Sequence, residues 1–192
     1  MEQSARILKD NGLIVFPTKG LYGIGARIDS EVAVKKVYEL KQRDYLKPIL
    51  ILIKDISEVK KYCADISDKA FYLMEKFWPG NITIILKASK KTNPLLTGGT
   101  GKIGVRIPAH EFTYSLLQKL DFPITGTSAN ISDTPPPSDI NHISEEIIKK
   151  CDIVINSGQL KTDLPSTVID ASSKNIKIIR EGRIKKDIIA RY

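Results

Sequence analysis

With 192 residues, 42% hydrophobic and 27% charged side chains, the chain can bury a core without disulfides or a structural metal, and it reads as one domain over 1–192 rather than a tight two-lobed one. No apolar run approaches bilayer-spanning length, and Met1-Glu2-Gln3-Ser4-Ala5-Arg6 lacks the basic-then-apolar order of a signal peptide, which argues against a membrane partner and for a cytoplasmic protein. Thirty Lys and Arg against 22 Asp and Glu, a net +8, favour an anionic ligand, a nucleotide or a nucleic acid, although Lys35-Lys36, Lys60-Lys61 and Lys149-Lys150 read as solvated helix faces.

In chain order, residues 4–11 predict a short helix, and Leu13-Ile14-Val15-Phe16, closed by Pro17, a buried strand. Thr18 to Gly25 carries three glycines within six residues, a stretch where backbone can approach a partner closely; its spacing is not that of a dinucleotide fingerprint. Ser30 is set as an N-cap, followed by Ala33, Val34, Val37, Tyr38 and Leu40 at helical spacing. A strand is expected over 48–53, helices over 56–63 and 67–78, and a strand over 81–87. The loop 95–101 then enters a strand over 102–108, and a helix over 111–120 follows. Phe122 to Asn130 begins as an apolar strand and ends in Thr125-Gly126-Thr127-Ser128-Ala129-Asn130. Pro135-Pro136-Pro137 makes a stiff surface loop, residues 140–151 a helix, 153–155 a strand, and 166–170 with 176–180 a hairpin. There is no repeat or domain-dividing linker, and the alternation predicts an α/β or mixed α+β sandwich around one large sheet.

The candidate site is a set of polar strand ends. If the strand persists, Ser128 and Asn130 leave the same face and offer a hydroxyl and an amide to a small planar oxyanion; alternatively Ser-Ala-Asn only turns the chain. Lys41, Arg43 and Lys47 place three cations within seven residues, suited either to a polyphosphate or to a helix C-terminus. Arg106 lies among Ile103, Val105 and Ile107, where a charge needs a partner: an Asp or Glu, or a ligand. Arg180 repeats that pattern after Ile178-Ile179. Gly101-Lys102 is not a Walker A motif, because Ile103 replaces its Ser or Thr. Cys63, Cys151, His110 and His142 have no metal-ligand spacing, which predicts idle or buried thiols and solvated or capping imidazoles, with no protein-caged metal.

Together these segments resemble a family. Pro17 to Gly25, Lys41-Gln42-Arg43, Trp78-Pro79-Gly80, Val105-Arg106-Ile107-Pro108, Ser128-Ala129-Asn130, Ser166-Thr167-Val168-Ile169-Asp170 and Arg180 occur in the order of YrdC-like proteins, over about Ser4 to Gly182 and most like the short single-domain TsaC type. The resemblance implies an open twisted mixed sheet with flanking helices and a concave basic cavity. It further implies threonylcarbamoyl-AMP synthase, a nucleotidyltransferase that converts L-threonine, bicarbonate and ATP to threonylcarbamoyl-adenylate and pyrophosphate. The product serves modification of tRNA position 37 through a downstream TsaD-type transferase complex.

Carried over by motif, Lys41 and Arg43 meet ATP phosphates and the carbamate, with Lys47 beside them. Ser128 and Asn130 hold bicarbonate and its carbamate; Arg106 and Ser166, with Thr18 and Ser128, bind threonine; Ser138 and Arg180, with Asn130, contact the nucleotide. Mg²⁺ arrives with ATP. Four positions depart from the family pattern: Gly20, Leu52 where long forms have histidine, Asp44 where proline is common, and Asp133 where glycine is usual. Asp44 brings a negative charge near the expected phosphate site. The alternatives are a YciO-like paralogue, which lacks the intact Lys-x-Arg and Ser-x-Asn pairs, and a double-stranded-RNA or tRNA-binding protein of the same fold.

Overall fold

The computed structural model describes residues 1–161 and 164–192. Among these residues eleven strands fall in order: β1 (Ile14–Pro17), β2 (Tyr22–Gly25), β3 (Ile51–Leu52), β4 (Cys63–Ala64), β5 (Ile82–Ala88), β6 (Lys102–Arg106), β7 (Ile124–Thr125), β8 (Thr127–Ser128), β9 (Ile153–Val154), β10 (Thr167–Asp170) and β11 (Lys177–Arg180). Seven α-helices accompany them: α1 (Glu2–Lys9), α2 (Glu31–Leu40), α3 (Val59–Tyr62), α4 (Asp68–Phe77), α5 (Glu111–Gln118), α6 (Glu145–Lys150) and α7 (Lys186–Ile189). Ser30 caps α2 as the sequence predicts, its side chain accepting from the Ala33 amide at 3.2 Å. No helix among the described residues is long and apolar enough to cross a membrane.

The strands form two sheets rather than the single large one expected. A four-stranded sheet runs β8-β2-β1-β9, and a seven-stranded sheet runs β11-β10-β5-β6-β3-β7 with β4 on β5. The division occurs inside the stretch read as one strand. β7 pairs with β3 of the larger sheet, Leu52 opposite Ile124, whereas β8 pairs with β2 of the smaller one, Gly23 opposite Ser128. Gly126 is the switch between them. Its amide donates to the Leu50 carbonyl at 2.9 Å, and a Cβ there would stand 2.5 Å from Leu50 Cδ1 and 2.8 Å from Leu52 Cγ.

The same sheets correct several local expectations. Half of the glycine-bearing stretch is strand β2, antiparallel to β1, because Tyr22 and Ile24 are buried and secure it. The strand expected over 48–53 pairs only at Ile51–Leu52. The segment 140–151 opens with a 3-10 turn, Ile140–His142, before α6, and the basic tail folds into α7. The proline loop is no bare surface loop, since Pro137 is buried and its carbonyl accepts from the Tyr22 amide at 2.9 Å.

Burial follows strand parity. β1 is apolar at every position because its two faces meet different cores: Leu13 and Val15 join the main cluster, whereas Ile14 and Phe16 pack with Leu8, Leu116, Leu117 and Phe122 of the α1 and α5 layer. On β5 and β6, Ile82, Ile84, Leu86, Ile103 and Val105 enter the main core. Thr83, Gly104 and Arg106 therefore take the opposite face.

Gly126→Ala must push Leu50 and Leu52 aside at the switch. The expected outcome is a loss of about 1–3 kcal/mol in unfolding free energy, as for an overpacked core, measured by the urea midpoint at constant m-value. An unchanged midpoint would show that the two leucines yield freely.

Candidate functional site

Where β7 leaves the larger sheet and β8 joins the smaller, the sheets part around a cleft of about 470 Å³. The larger sheet and its edge loop contribute Leu50, Leu52, Thr83 and Arg106, and the smaller contributes Phe16, Tyr22, Thr127 and Ser128; loops add Thr18, Lys19, Arg43 and Ser166. Four cations line it, Lys19, Arg43, Arg106 and Arg180, and no Asp or Glu among the described residues does. Such a wall attracts anions.

Arg106 is held without an acidic partner. Its Nε donates to the Gly80 carbonyl at 2.7 Å, Nη2 to Asn81 Oδ1 at 2.8 Å, and Nη1 to Ser166 Oγ. Three of five guanidinium N–H donors are thus fixed by neutral oxygens, leaving one on each Nη. Burial, and then the nearby charge of Arg180, push its pKa down to about 10, so it stays protonated at neutral pH. Of the two partners left open by the sequence, the structure supplies no carboxylate. A fork in this state suits a ligand carboxylate. Arg180 donates from Nε and Nη2 to the Ser166 carbonyl at 3.2 and 2.9 Å, so both arginines brace Ser166.

Lys41 lies elsewhere than on the cleft wall. It ends α2, is 1% exposed, and drives its ammonium under the turn after β8. Nζ donates to the Ser128 carbonyl at 2.5 Å, the Asn130 carbonyl at 2.7 Å and Asn130 Oδ1 at 3.1 Å. All three donors are used. Because an ammonium only donates, this contact fixes which end of the Asn130 amide is oxygen. Ser128 Oγ donates to the same Oδ1, and Asn130 Nδ2 donates to the Thr134 carbonyl. The Ser-x-Asn pair therefore meets through a turn rather than along one strand face. Ser128 lines the cleft and Asn130 does not. Burial, then the charge of Arg43, lower the Lys41 pKa to about 8.

The other sequence candidates separate. Arg43 faces the cleft, with Nε on the Lys47 carbonyl at 3.1 Å and Nη2 on the Pro48 carbonyl at 2.9 Å. Lys47 turns to Asp133 at 2.8 Å in an exposed pair, and Ser138 gives its carbonyl to the Leu160 amide at 2.8 Å; neither lines the cleft. Thr18 does, its hydroxyl donating to the Leu21 carbonyl at 2.6 Å. Asp44 stays clear of the lining and accepts from the Leu46 amide at 2.9 Å within its own turn.

The thiols are buried or half-buried and free, and burial pushes both Cys63 and Cys151 up to about 12. His142 is exposed. His110 is half-buried and makes no side-chain cap: Nδ1 is buried without a partner, and desolvation lowers its pKa. Among the described residues no group of three or more His, Cys, Asp or Glu is placed to hold a metal.

Lys19, Thr83 and Asn81 were given no role from the sequence. Lys19 stands inside the glycine-bearing stretch, and the alternation of Ile82, Thr83 and Ile84 already puts Thr83 off the core face. Asn81 escaped because its role depends on an arginine 25 positions away.

The family described as Sua5/YciO/YrdC, telomere recombination, matches residues 6–182. The chain is 34% identical to the threonylcarbamoyl-AMP synthase of Pyrococcus abyssi over 93% of its own length and 53% of the relative's. It is 40% identical to a putative threonylcarbamoyl-AMP synthase of Methanocaldococcus jannaschii, over 94% of its own length and 85% of that protein. Its fold superposes on the crystal structure of P. abyssi Sua5 complexed with L-threonine with a TM-score of 0.93 at 32% identity, covering 98% of this chain and 56% of that one. E. coli YciO gives 0.86 at 30% identity, covering 97% and 91%. The chain thus spans about half the length of the Pyrococcus and Bacillus subtilis relatives it matches.

Lys41 sets a pH signature. Its native pKa of about 8 lies below the ordinary 10.5, so between those values the native state binds fewer protons than the unfolded chain, and stability rises with pH. Urea unfolding from pH 7 to 10.5 is expected to show the wild type gaining on Lys41→Met by an amount on the order of 3 kcal/mol at most. A constant difference across the range would contradict the buried ammonium.

Proposed function

Because the chain belongs to the Sua5/YciO/YrdC family, we propose that it is a threonylcarbamoyl-AMP synthase, a nucleotidyltransferase working on L-threonine, bicarbonate and ATP. The observation that carries this reading is Arg106, a half-buried guanidinium held by neutral oxygens, in a cleft lined by four cations and, among the described residues, no acid. Threonine's carboxylate takes the two free N–H groups of Arg106, and the Ser166 hydroxyl, which accepts from Arg106, keeps its own proton to donate.

The chemistry balances in two steps. The threonine amine attacks bicarbonate, forming the C–N bond of a carbamate with loss of water. A carbamate oxygen then attacks the α-phosphorus of ATP, and pyrophosphate leaves. Arg43, Arg180 and Lys19 neutralise the polyphosphate. Ser128 presents its hydroxyl oxygen to the carbamate, in an orientation set by Lys41 and Asn130. Catalysis is then positioning and charge neutralisation. Mg²⁺ comes bound to ATP, and its chemistry is to offset phosphate charge. The adenylate passes to a TsaD-type transferase that modifies tRNA.

The test is pyrophosphate release from ATP, with L-threonine and bicarbonate omitted in turn. Turnover is expected to require both, to fall at least 100-fold in Arg43→Ala, and to show a threonine KM raised roughly 10- to 100-fold in Arg106→Ala. Folded protein without turnover in any combination would reject the synthase. The likeness to YciO would then carry the paralogue reading, and steeply salt-dependent RNA binding would favour the RNA-binding one.

A further inference from the structure

The loop 95–101 stands outside the cleft lining, yet it packs against the turn that carries Arg43, and the two meet at Tyr38. Helix α2 ends at Leu40 with Lys41 as its cap residue. The Gln42 amide then donates to the Glu39 carbonyl at 3.1 Å and the Arg43 amide to the Tyr38 carbonyl at 2.9 Å, the paired closure of a Schellman end. The left-handed position of that motif, usually glycine, is held here by Gln42 at a φ of +48°, so surrounding contacts must keep the turn in place.

Tyr38 supplies them. It is 1% exposed, and its hydroxyl lies 2.8 Å from the Leu95 carbonyl and 3.0 Å from the Lys47 carbonyl, sharing one proton between the loop and the far end of the turn. Its ring stacks on Tyr45 at 4.6 Å. The loop adds the Leu96 carbonyl, which accepts from the Ile49 amide at 3.0 Å, and Gly98, where a Cβ would stand 2.5 Å from the Leu46 carbonyl oxygen.

This clamp decides which edge of Arg43 is free. Nε and Nη2 donate to the Lys47 and Pro48 carbonyls at 3.1 and 2.9 Å, which occupies one side of the guanidinium. Among the described residues no atom takes the other three N–H groups, two on Nη1 and one on Nη2, so an end-on fork is left at the cleft wall. A side chain without those fixed carbonyls would have to be ordered on binding, at an entropic cost. Lys47, whose ammonium turns to Asp133, thus serves Arg43 through its main-chain oxygen.

Resting on the synthase reading, we infer that Tyr38 is a positioning residue for adenylate formation: through the Lys47 carbonyl it aims the free fork of Arg43 at the phosphates of ATP. Tyr38 does not line the cleft. Its effect passes through Arg43, so its hydroxyl matters to turnover only while that guanidinium is present.

The experiment measures pyrophosphate release by the full chain, as kcat/KM for ATP and KM for L-threonine, in wild type, Tyr38→Phe, Tyr45→Ala, Arg43→Ala and the two double variants with Arg43→Ala. The expected result is a fall in kcat/KM for ATP of about tenfold in Tyr38→Phe and about threefold in Tyr45→Ala, with the threonine KM unchanged in both. Added to Arg43→Ala, either substitution costs less than about twofold, the non-additivity of residues acting as one unit. Tyr45 is 44% exposed, so its truncation leaves the fold standing and decides the question if Tyr38→Phe does not fold. Wild-type kcat/KM in Tyr38→Phe, or in Tyr45→Ala where that variant decides, overturns the assignment. So does the same fold loss with and without Arg43, or a threonine KM that rises in step; the synthase reading survives each of these. A wild type that does not turn over overturns both.

Discussion

The structure depends on one short stretch that serves two sheets. Between Thr125 and Thr127 the chain leaves the larger sheet and enters the smaller, and the absence of a side chain at Gly126 lets it pass close over Leu50 and Leu52. Two sheets joined this way diverge from the switch, and the space between them is the cleft. The polar residues that close the strand are therefore placed at the mouth by topology, before any specific contact is made. The bond from the Ala129 amide to the Tyr22 carbonyl at 2.9 Å then commits the chain to the smaller sheet.

Around that switch two cations, Lys41 buried and Arg106 half-buried, do opposite work. Lys41 has three donors and three oxygen acceptors in the protein, so it is complete and acts as a tie between the end of α2 and the turn at Ser128 to Asn130. Ser132 reinforces the tie by donating its amide to the Lys41 carbonyl at 2.8 Å. Arg106 has five donors and three acceptors, and its remainder faces open space. Burying an unpaired charge is costly in proportion to what stays unsatisfied. The one cation is structural and the other is prepared for an anion. A stability effect of substitution is expected at both, but a ligand effect of the carboxylate kind only at Arg106.

Much of this was legible in residue order. Parity along 102–107 isolates Arg106 from its apolar neighbours, and Ser30 announces α2 by its hydroxyl alone. The failures share a cause. That the Phe122 to Asn130 run belongs to two sheets depends on which strands wait on either side, and single-sequence periodicity carries no information about partners. Lys41 and Arg43 looked equivalent because both end the same helix, yet the positive φ of Gln42, +48°, turns the chain between them and sends one side chain inward and the other to the cleft. Thr83 was invisible for a plainer reason: inside a β-branched strand a threonine and a valine read alike, and nothing in the residue order says that this one lines a cleft.

The two acidic departures from the family pattern do not reverse the charge of the cleft. Asp44 is drawn into its own turn by the Leu46 amide, and Asp133 adopts a φ of +67° and meets Lys47 at 2.8 Å. Both carboxylates are therefore engaged outside the lining. The consequence falls on Lys47, whose ammonium is directed to the rim loop by an exposed pair worth little by itself. A polyphosphate bearing several charges competes easily with one exposed carboxylate, so this pair sets where Lys47 rests without deciding where it can reach. The permanent positive field of the cleft then rests on Arg43, Arg106, Arg180 and Lys19, contributed by four separate segments of the chain.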